Sequence, residues 1–326
     1  MTVCNYIELT SIETFSRPLF FVFWRYFSIK SALVAAIVLG PRRGRFYDED
    51  GNVLETPTAF PAHSVALQIL GTFILWFGWY GFNPGSALAI ANPDSAATAA
   101  LCAVTTTLSA ACGCVVCMFF DSFMDSRVTG EVSYDLTMAM NGALGGLVAI
   151  TAGCSVVQPW AACIIGIVAG FVYYGFSKFL IKMRIDDAVD AVPVHFACGL
   201  WGCIAVGLFA DAELQRVAGY LTERSGLFFT GDGNLLLVQF CGVCWIIAWV
   251  TALMTPFFML LNFAGIFRVD PLEEEVGLDI SHHRGTAYDL EPAKQADVEE
   301  LMEVRASRHG KVEVPSEMAQ AAADLE

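Results

Sequence analysis

The chain has 326 residues, of which 56% are hydrophobic and 16% are charged, and its mean hydropathy is +0.57. A soluble domain of this length carries more charge and fewer long apolar runs, so the composition excludes an ordinary soluble protein. The net charge of −15 comes largely from the tail that follows Arg268, and this acidic balance argues against binding to nucleic acid or to anionic lipid.

Six apolar runs are long enough to cross a bilayer as helices. They lie at about 65–90, 97–120, 133–156, 158–181, 190–210 and 237–267. A seventh run precedes them at about 19–40, but Arg25 and Lys30 interrupt it. The pattern predicts an all-α fold, a polytopic bundle of transmembrane helices in an integral membrane protein.

The positive charges predict how this bundle is oriented. When the interrupted run is counted as the first segment, basic residues follow the first, third and fifth segments, at 42–45, at Arg127 and at 178–184. The positive-inside rule places these ends and the C-terminal tail in the cytoplasm. The rule counts Lys and Arg rather than net charge, so the acidic tail does not contradict it.

The segment at 65–90 carries aromatic and polar side chains on one predicted helix face. Trp79, Phe82 and Ser86 are spaced i, i+3 and i+7, within about 60° of one helix side. Pro84 and Gly85 are expected to kink the helix and free a carbonyl. Because ring faces attract small cations, this stripe predicts a cation site at the outer mouth. An interfacial aromatic belt is the alternative, but it leaves the serine and the kink unexplained.

The segment at 133–156 carries two small residues, Gly142 and Gly146, four positions apart. Such a pair lets two membrane helices approach closely, so it predicts helix packing. Thr151, further along the same segment, either takes part in this packing or lines a pathway.

His195 lies in the apolar run at 190–210, which has no charged residue after Asp190. An ionisable group within the membrane usually faces the bundle interior or a polar pathway. Cys198, Gly199 and Gly202 lie at i+3, i+4 and i+7, and these small residues predict open space beside the imidazole. A neutral core histidine, hydrogen-bonded to a neighbouring helix, is the alternative reading.

Aspartates precede this helix. Asp190 is expected to cap its N-terminus, with Pro193 in the first turn. Asp187 either stays hydrated at the membrane surface or fixes the helix end, and the sequence leaves both open.

The sequence offers no cofactor or metal site. Ten of the eleven cysteines lie in apolar segments, where a thiol acts as a small hydrophobe. Cys112, Cys114 and Cys117 point about 140–200° apart around a helix, so they cannot share one ion. No nucleophile is paired with a base, which predicts that the protein has no catalytic residues and is not an enzyme. A retinal-binding receptor is disfavoured because the run at 237–267 contains no lysine.

Five stretches together resemble the ammonium transporter family (Amt/Mep/Rh). They follow one another in family order at 39–46, 75–86, 141–153, 186–195 and 273–281. The most specific are Trp-Tyr-Gly-Phe-Asn-Pro-Gly-Ser at 79–86 and the Asp-Asp…His run at 186–195. The resemblance implies a plasma-membrane trimer of eleven-helix subunits, each with its own conduction path. Ammonium would be recruited at an aromatic vestibule, pass a phenylalanine gate, lose its proton and cross as ammonia beside two histidines.

The resemblance also assigns roles to individual positions. Trp79 and Ser86 match residues around the recruitment site. Phe82 matches one gate ring, and His195 matches the second pore histidine. Thr151 is similar to a family position beside the pore. In the tail, Ser281 occupies the position where plant members carry a phosphorylated hydroxyl residue, so added charge there is expected to change how the tail docks.

The chain departs from the family pattern before residue 32. Alignment on 33–40 puts Arg25 in place of the first pore histidine and Arg17 in place of its aspartate. We therefore expect six to seven of the family's eleven helices. Three regions follow: a divergent segment of doubtful origin at 1–31, a transmembrane region at 32–267 and an acidic cytoplasmic tail at 268–326.

Two explanations of this departure remain open. The chain is either a truncated or mispredicted gene product, or a short paralogue that assembles with full-length subunits as a non-conducting partner. The expected assembly is a homotrimer or a heterotrimer with full-length paralogues. With one pore histidine missing and an arginine in the path, weak ammonium conduction or none is expected. The alternative function is a non-conducting regulatory or sensor subunit.

Overall fold

A computed structural model describes residues 31–48, 50–60, 64–220 and 224–283. These residues form two compact units. The first, here called the helix bundle, takes its described residues from 31–41, 64–220 and 224–261. The second, here called the tail unit, takes its described residues from 42–48, 50–60 and 262–283. In the described ranges the structure is helical apart from turns, loops and two isolated β-bridges.

The helices of both units follow in chain order. Residues 31–39 are helical and form α1. The others are α2 (Val65–Phe82), α3 (Pro93–Thr129), α4 (Leu136–Thr151), α5 (Pro159–Lys182), α6 (Cys198–Phe209), α7 (Ala212–Val217), α8 (Leu227–Thr230), α9 (Asn234–Phe263), α10 (Pro271–Val276) and α11 (Leu278–His283). A 3₁₀ turn, Pro84–Ala87, follows α2, and a π-helical turn, Val192–Ala197, runs directly into α6.

The predicted membrane-crossing segments are confirmed as helices. Five spans are long and apolar enough to cross a bilayer, and α4 is a shorter apolar helix. The segment predicted at 133–156 is too long, because residues 152–156 form turns after the end of α4. The segment predicted at 97–120 is too short, because α3 continues from Pro93 to Thr129. Of the interrupted run at 19–40, residues 19–30 lie outside the described part of the chain.

Side-chain caps explain where several helices begin. Ser64 accepts a hydrogen bond from the Leu67 amide at the start of α2, and Asn92 accepts one from the Ser95 amide at the start of α3. Asp135 caps two amides in the first turn of α4. Each cap satisfies amides that have no partner within the helix, so the local sequence fixes these starts.

The core of the helix bundle is built on contacts between glycines and backbone. A Cβ atom on Gly146 would lie 2.4 Å from the Ser109 carbonyl oxygen, and one on Gly166 would lie 2.2 Å from the same atom. A Cβ on Gly142 would lie 2.6 Å from the Gly113 carbonyl oxygen. The packing predicted for the glycine pair of α4 is therefore confirmed. Both α4 and α5 pack against α3 at separations that only glycine permits.

The helices α2 and α9 bury few of their side chains. Only Trp79 is buried in α2, and only Val243, Ile246 and Val250 are buried in the described α9. Most of their remaining apolar side chains are exposed. In a membrane protein, such faces contact lipid or other helices instead of water.

Candidate functional site

Three of the predicted site residues meet where α2 ends. Trp79 is 5% exposed, and its indole Nε1 donates a hydrogen bond to Thr151 Oγ1 at 2.9 Å. The Thr151 hydroxyl in turn donates to the Leu147 carbonyl at 2.7 Å. The Phe82 ring meets the Trp79 ring edge to face, with centroids 6.4 Å apart. The structure thus joins the aromatic pair of α2 to the hydroxyl of α4 in one cluster.

This cluster makes a first testable prediction. Replacing Thr151 with valine removes the acceptor of the indole N–H, and an unpaired buried donor costs about 1–3 kcal/mol. We expect Thr151→Val to lower the thermal unfolding midpoint in detergent and to shift the tryptophan emission. Thr151→Ser keeps the hydroxyl and should leave both measurements close to those of the parent. Equal behaviour of the two variants would contradict the hydrogen bond.

The continuous helix on which Trp79, Phe82 and Ser86 were expected to share a face is not formed, so this part of the prediction was wrong. The spacing argument assumed a continuous helix, but α2 ends at Phe82 and a 3₁₀ turn begins at Pro84. The helix ends here instead of kinking, but a carbonyl without an α-helical donor is present as expected. The exposed Ser86 hydroxyl donates to the Phe82 carbonyl, because the Ser86 amide, which would bond this carbonyl in an α-helix, donates to the Asn83 carbonyl in the 3₁₀ turn.

Sequence reasoning missed a polar connection between α2 and α3. Asn83 is buried, and its side-chain amide donates to Thr106 Oγ1 at 2.9 Å. One turn earlier, the Tyr80 hydroxyl lies 2.7 Å from Thr107 Oγ1. A side-chain amide within an apolar segment needs a hydrogen-bond partner on a neighbouring helix. The presence of Asn83 in the apolar run at 65–90 was therefore the signal in the sequence for this connection.

His195 lies in the π-helical turn at the start of a membrane-length span, Val192–Phe209. Its side chain is half-buried. The neighbouring Phe196 ring packs against Phe176 of α5, with centroids 5.9 Å apart. The turn therefore lies against α5, and the histidine sits where a membrane helix rarely carries an ionisable group.

At Cys198 and Gly202, two of the three small residues that predicted open space beside the imidazole, neighbouring helices fill the space. A Cβ on Gly202 would lie 2.3 Å from the Ala149 carbonyl oxygen of α4. The Cys198 thiol is buried and lies 3.5 Å from the Ala169 carbonyl oxygen of α5. These residues are small because neighbouring helices pack on them, which corrects the expectation drawn from the spacing.

The capping role predicted for Asp190 belongs to Asp187. The Asp187 carboxylate accepts a hydrogen bond from the Val192 amide at 2.6 Å. The Asp190 carboxylate instead accepts hydrogen bonds from Tyr173 Oη at 2.7 Å and from Ser177 Oγ at 3.1 Å. Asp190 has a φ of +53°, and this left-handed backbone turns its side chain away from the helix start.

The tail unit places Ser281 in α11, where its side chain is only 3% exposed. In the same unit, Glu274 accepts hydrogen bonds from the Arg268 guanidinium at 2.8 Å and from the Arg43 amide at 3.1 Å. The Arg268 hydrogen bond lowers the pKa of the Glu274 carboxyl below its usual value. Glu273 lies 3.2 Å from His282 Nε2. These contacts connect the loop after α1 to the start of the tail.

Among the described residues, no three His, Cys, Asp or Glu side chains come close enough to hold a metal ion. The cysteines in these ranges form no disulfide bond. Within the same ranges, the arrangement that can act chemically consists of the aromatic cluster of α2 and the histidine of the π-helical turn.

The apolar helix bundle, with its aromatic cluster and a histidine within a membrane-length span, is that of a polytopic membrane protein. Residues 26–288 match the family model described as Ammonium Transporter Family. The chain belongs to this family, whose members are transporters rather than enzymes.

Individual relatives agree with this assignment. The chain is 39% identical over 266 residues to ammonium transporter 1 member 2 of Arabidopsis thaliana, and the match covers 79% of this chain and 50% of the relative. It is 41% identical over 258 residues to the ammonium transporter Amt2 of Archaeoglobus fulgidus, covering 79% of this chain and 52% of that protein. The chain thus spans about half the length of the curated relatives it matches.

Solved structures are similar in fold as well. The crystal structure of Saccharomyces cerevisiae Mep2 matches with a TM-score of 0.64 and 29% identity, over 76% of this chain and 51% of that one. A structure titled Sensor Amt Protein matches with a TM-score of 0.63 and 30% identity, over 80% of this chain and 57% of that one. The family fold is therefore shared with both.

Proposed function

We propose that this chain takes part in the transmembrane conduction of ammonium and ammonia. The observation that carries the proposal is the cluster of Trp79, Phe82 and Thr151, which unites residues of α2 and α4 in a chain of the ammonium transporter family. Relatives named as ammonium transporters, at about 40% identity, support this substrate.

The chemistry of these groups suits such a path. Aromatic ring faces attract a small cation, and the exposed hydroxyl of Ser86 is available to accept a hydrogen bond from it. An apolar path disfavours the charged ion, so ammonium gives up a proton before it crosses. A neutral imidazole at His195 offers one donor and one acceptor to ammonia at little desolvation cost.

Expression in yeast that lacks its ammonium permeases tests the proposal. We expect this chain alone to support at most weak growth on low ammonium, because Arg25, proposed to replace a pore histidine, would repel a cation. Arg17 and Arg25 lie outside the described residues. Uptake of labelled ammonium is the direct measurement, with His195→Ala as the control. Robust growth would overturn the expectation of weak conduction.

The proposed assembly is a trimer in the plasma membrane, either of this chain alone or with full-length paralogues, with the tail in the cytoplasm. Basic residues after α1, α3 and α5 support this orientation. Native mass spectrometry of the purified protein distinguishes the homotrimer from a mixed assembly.

A regulatory or sensor subunit is the second candidate. The similarity to a structure titled Sensor Amt Protein favours it, as does the ordered contact between loop and tail around Glu274. In this case the chain would co-purify with a full-length transporter and carry no flux of its own.

A charge introduced at Ser281 tests whether the tail unit can act in regulation. Its side chain is buried in the tail unit, so a phosphate or a carboxylate at this position must be desolvated or must displace α11. We expect Ser281→Asp to increase the rate of limited proteolysis within 262–283 several-fold, while Ser281→Ala leaves it unchanged. An equal rate in both variants would contradict a charge-sensitive tail.

A further inference from the structure

The π-helical turn that carries His195 is held at its start by two aspartates with different partners. The Asp187 carboxylate accepts a hydrogen bond from the amide of Val192, the first residue of the turn. The Asp190 backbone carbonyl accepts from the Val194 amide at 3.1 Å, while its carboxylate points to α5. One carboxylate therefore fixes the turn to its own loop, and the other fixes it to a neighbouring helix.

A π-helical turn needs such support. It is wider than an α-helix and rare in regular helices, and single π-helical turns occur frequently at functional sites. Asp190 also adopts a left-handed φ of +53°, which is uncommon for a residue with a side chain. Surrounding contacts must stabilise a backbone of this kind, since it is costly in isolation.

The support comes from a buried hydrogen-bonded row across three elements. The Asn141 side-chain amide of α4 donates to Tyr173 Oη at 2.9 Å, and Tyr173 Oη donates to Asp190 at 2.7 Å. Ser177 Oγ, one turn further along α5, donates to the same carboxylate. The Tyr173 side chain is fully buried. Burying a tyrosine hydroxyl in an apolar bundle lowers the stability of the fold unless hydrogen-bond partners satisfy the hydroxyl. Here Asn141 and Asp190 are those partners.

We propose that Tyr173 is a positioning residue for His195, and that the row Asn141–Tyr173–Asp190 sets the orientation of the imidazole by fixing the π-helical turn against α4 and α5. The inference rests on the proposed function, because it assigns this row a role in the conduction path. Tyr173 does not touch the substrate. Its effect passes through Asp190 to the backbone five residues before His195.

The adjacent tyrosine provides a matched control. Tyr174 lies on another face of α5, where its ring meets Phe120 at 5.0 Å and lies 5.1 Å from the Lys178 ammonium group. Tyr173→Phe removes the hydroxyl that joins Asn141 to Asp190. Tyr174→Phe makes the same chemical change without touching the row.

The test uses the full chain in lipid vesicles, labelled with ¹⁵N at histidine for solid-state NMR. His195→Gln identifies the His195 ring signals among those of the five histidines. We expect Tyr173→Phe to shift both His195 ring-nitrogen signals. We also expect amide hydrogen exchange in Val192–Ala197 to rise on the order of tenfold, the factor that corresponds to losing one hydrogen bond. Tyr174→Phe should change neither.

Unchanged His195 signals in Tyr173→Phe would overturn the proposal, whatever happens to stability. Equal shifts in both tyrosine variants would do the same. If Tyr173→Phe does not fold, Ser177→Ala removes one hydrogen bond to Asp190 and applies the same test. The readout needs no transport, so ammonium uptake that is unchanged by His195→Ala would contradict the proposed function while leaving the positioning role standing.

Discussion

Replacing Gly166 with alanine is expected to destabilise the helix bundle severely. The new methyl carbon would lie 2.2 Å from the Ser109 carbonyl oxygen and 2.8 Å from the Ser109 carbonyl carbon and Cα. These are backbone atoms of α3, so no side chain can rotate away, and α5 must move from α3. Overpacking of this kind lowers the free energy of unfolding by about 1–3 kcal/mol. We expect a value at the upper end of this range, because the contact is with backbone atoms.

Gly175 gives the control on the same helix. A Cβ at Gly175 meets nothing within 4 Å, and its backbone is helical. Alanine in a helix is more stable than glycine by about 0.5–1 kcal/mol, so Gly175→Ala should be neutral or slightly stabilising. Both variants are heated in detergent, and size-exclusion chromatography then measures the fraction of each that remains folded. A Gly166→Ala protein as heat-resistant as Gly175→Ala would refute the close approach of α5 to α3.

Helix positions and small-residue contacts were predictable because they depend on local patterns. Apolar runs gave the spans, and the Gly142–Gly146 pair indicated packing that the structure confirms at the backbone of α3. The same reasoning failed at Ser86, since the spacing rule holds only while the helix continues. Pro84 was recognised as a kink, but it starts a 3₁₀ turn instead of bending a longer helix.

The surroundings of His195 were not predictable, because they depend on residues distant in the chain. Asp190 was expected to cap the following helix, as its position before Pro193 suggested. Its partners are Tyr173 and Ser177 of the preceding helix, and its backbone is left-handed, neither of which the capping pattern indicated. The local sequence pattern likewise did not indicate the π-helical turn. Cys198 and Gly202 were misread for the same reason, since the helices that pack on them are far away in sequence.

Replacing Trp79 with alanine is the other change with a large expected effect. Trp79 is the only buried residue of α2, and its loss removes a large ring from the cluster with Phe82 and Thr151. Truncation of a buried tryptophan costs about 3–5 kcal/mol, because contacts are lost and a cavity remains. Trp245→Ala is the control: Trp245 is 68% exposed on α9, so its truncation should change the stability of the bundle little.

Trp79→Phe separates the two contributions of this side chain. The smaller ring keeps part of the packing but has no N–H for Thr151, so its stability should lie between those of the parent and Trp79→Ala. If Trp79 also contributes to ammonium recruitment, the phenylalanine variant should retain part of any uptake, since its ring face still attracts a cation. Denaturant unfolding of the three variants in one detergent gives the order of stabilities. A Trp79→Ala protein as stable as Trp245→Ala would show that this cluster does not hold α2 against α4.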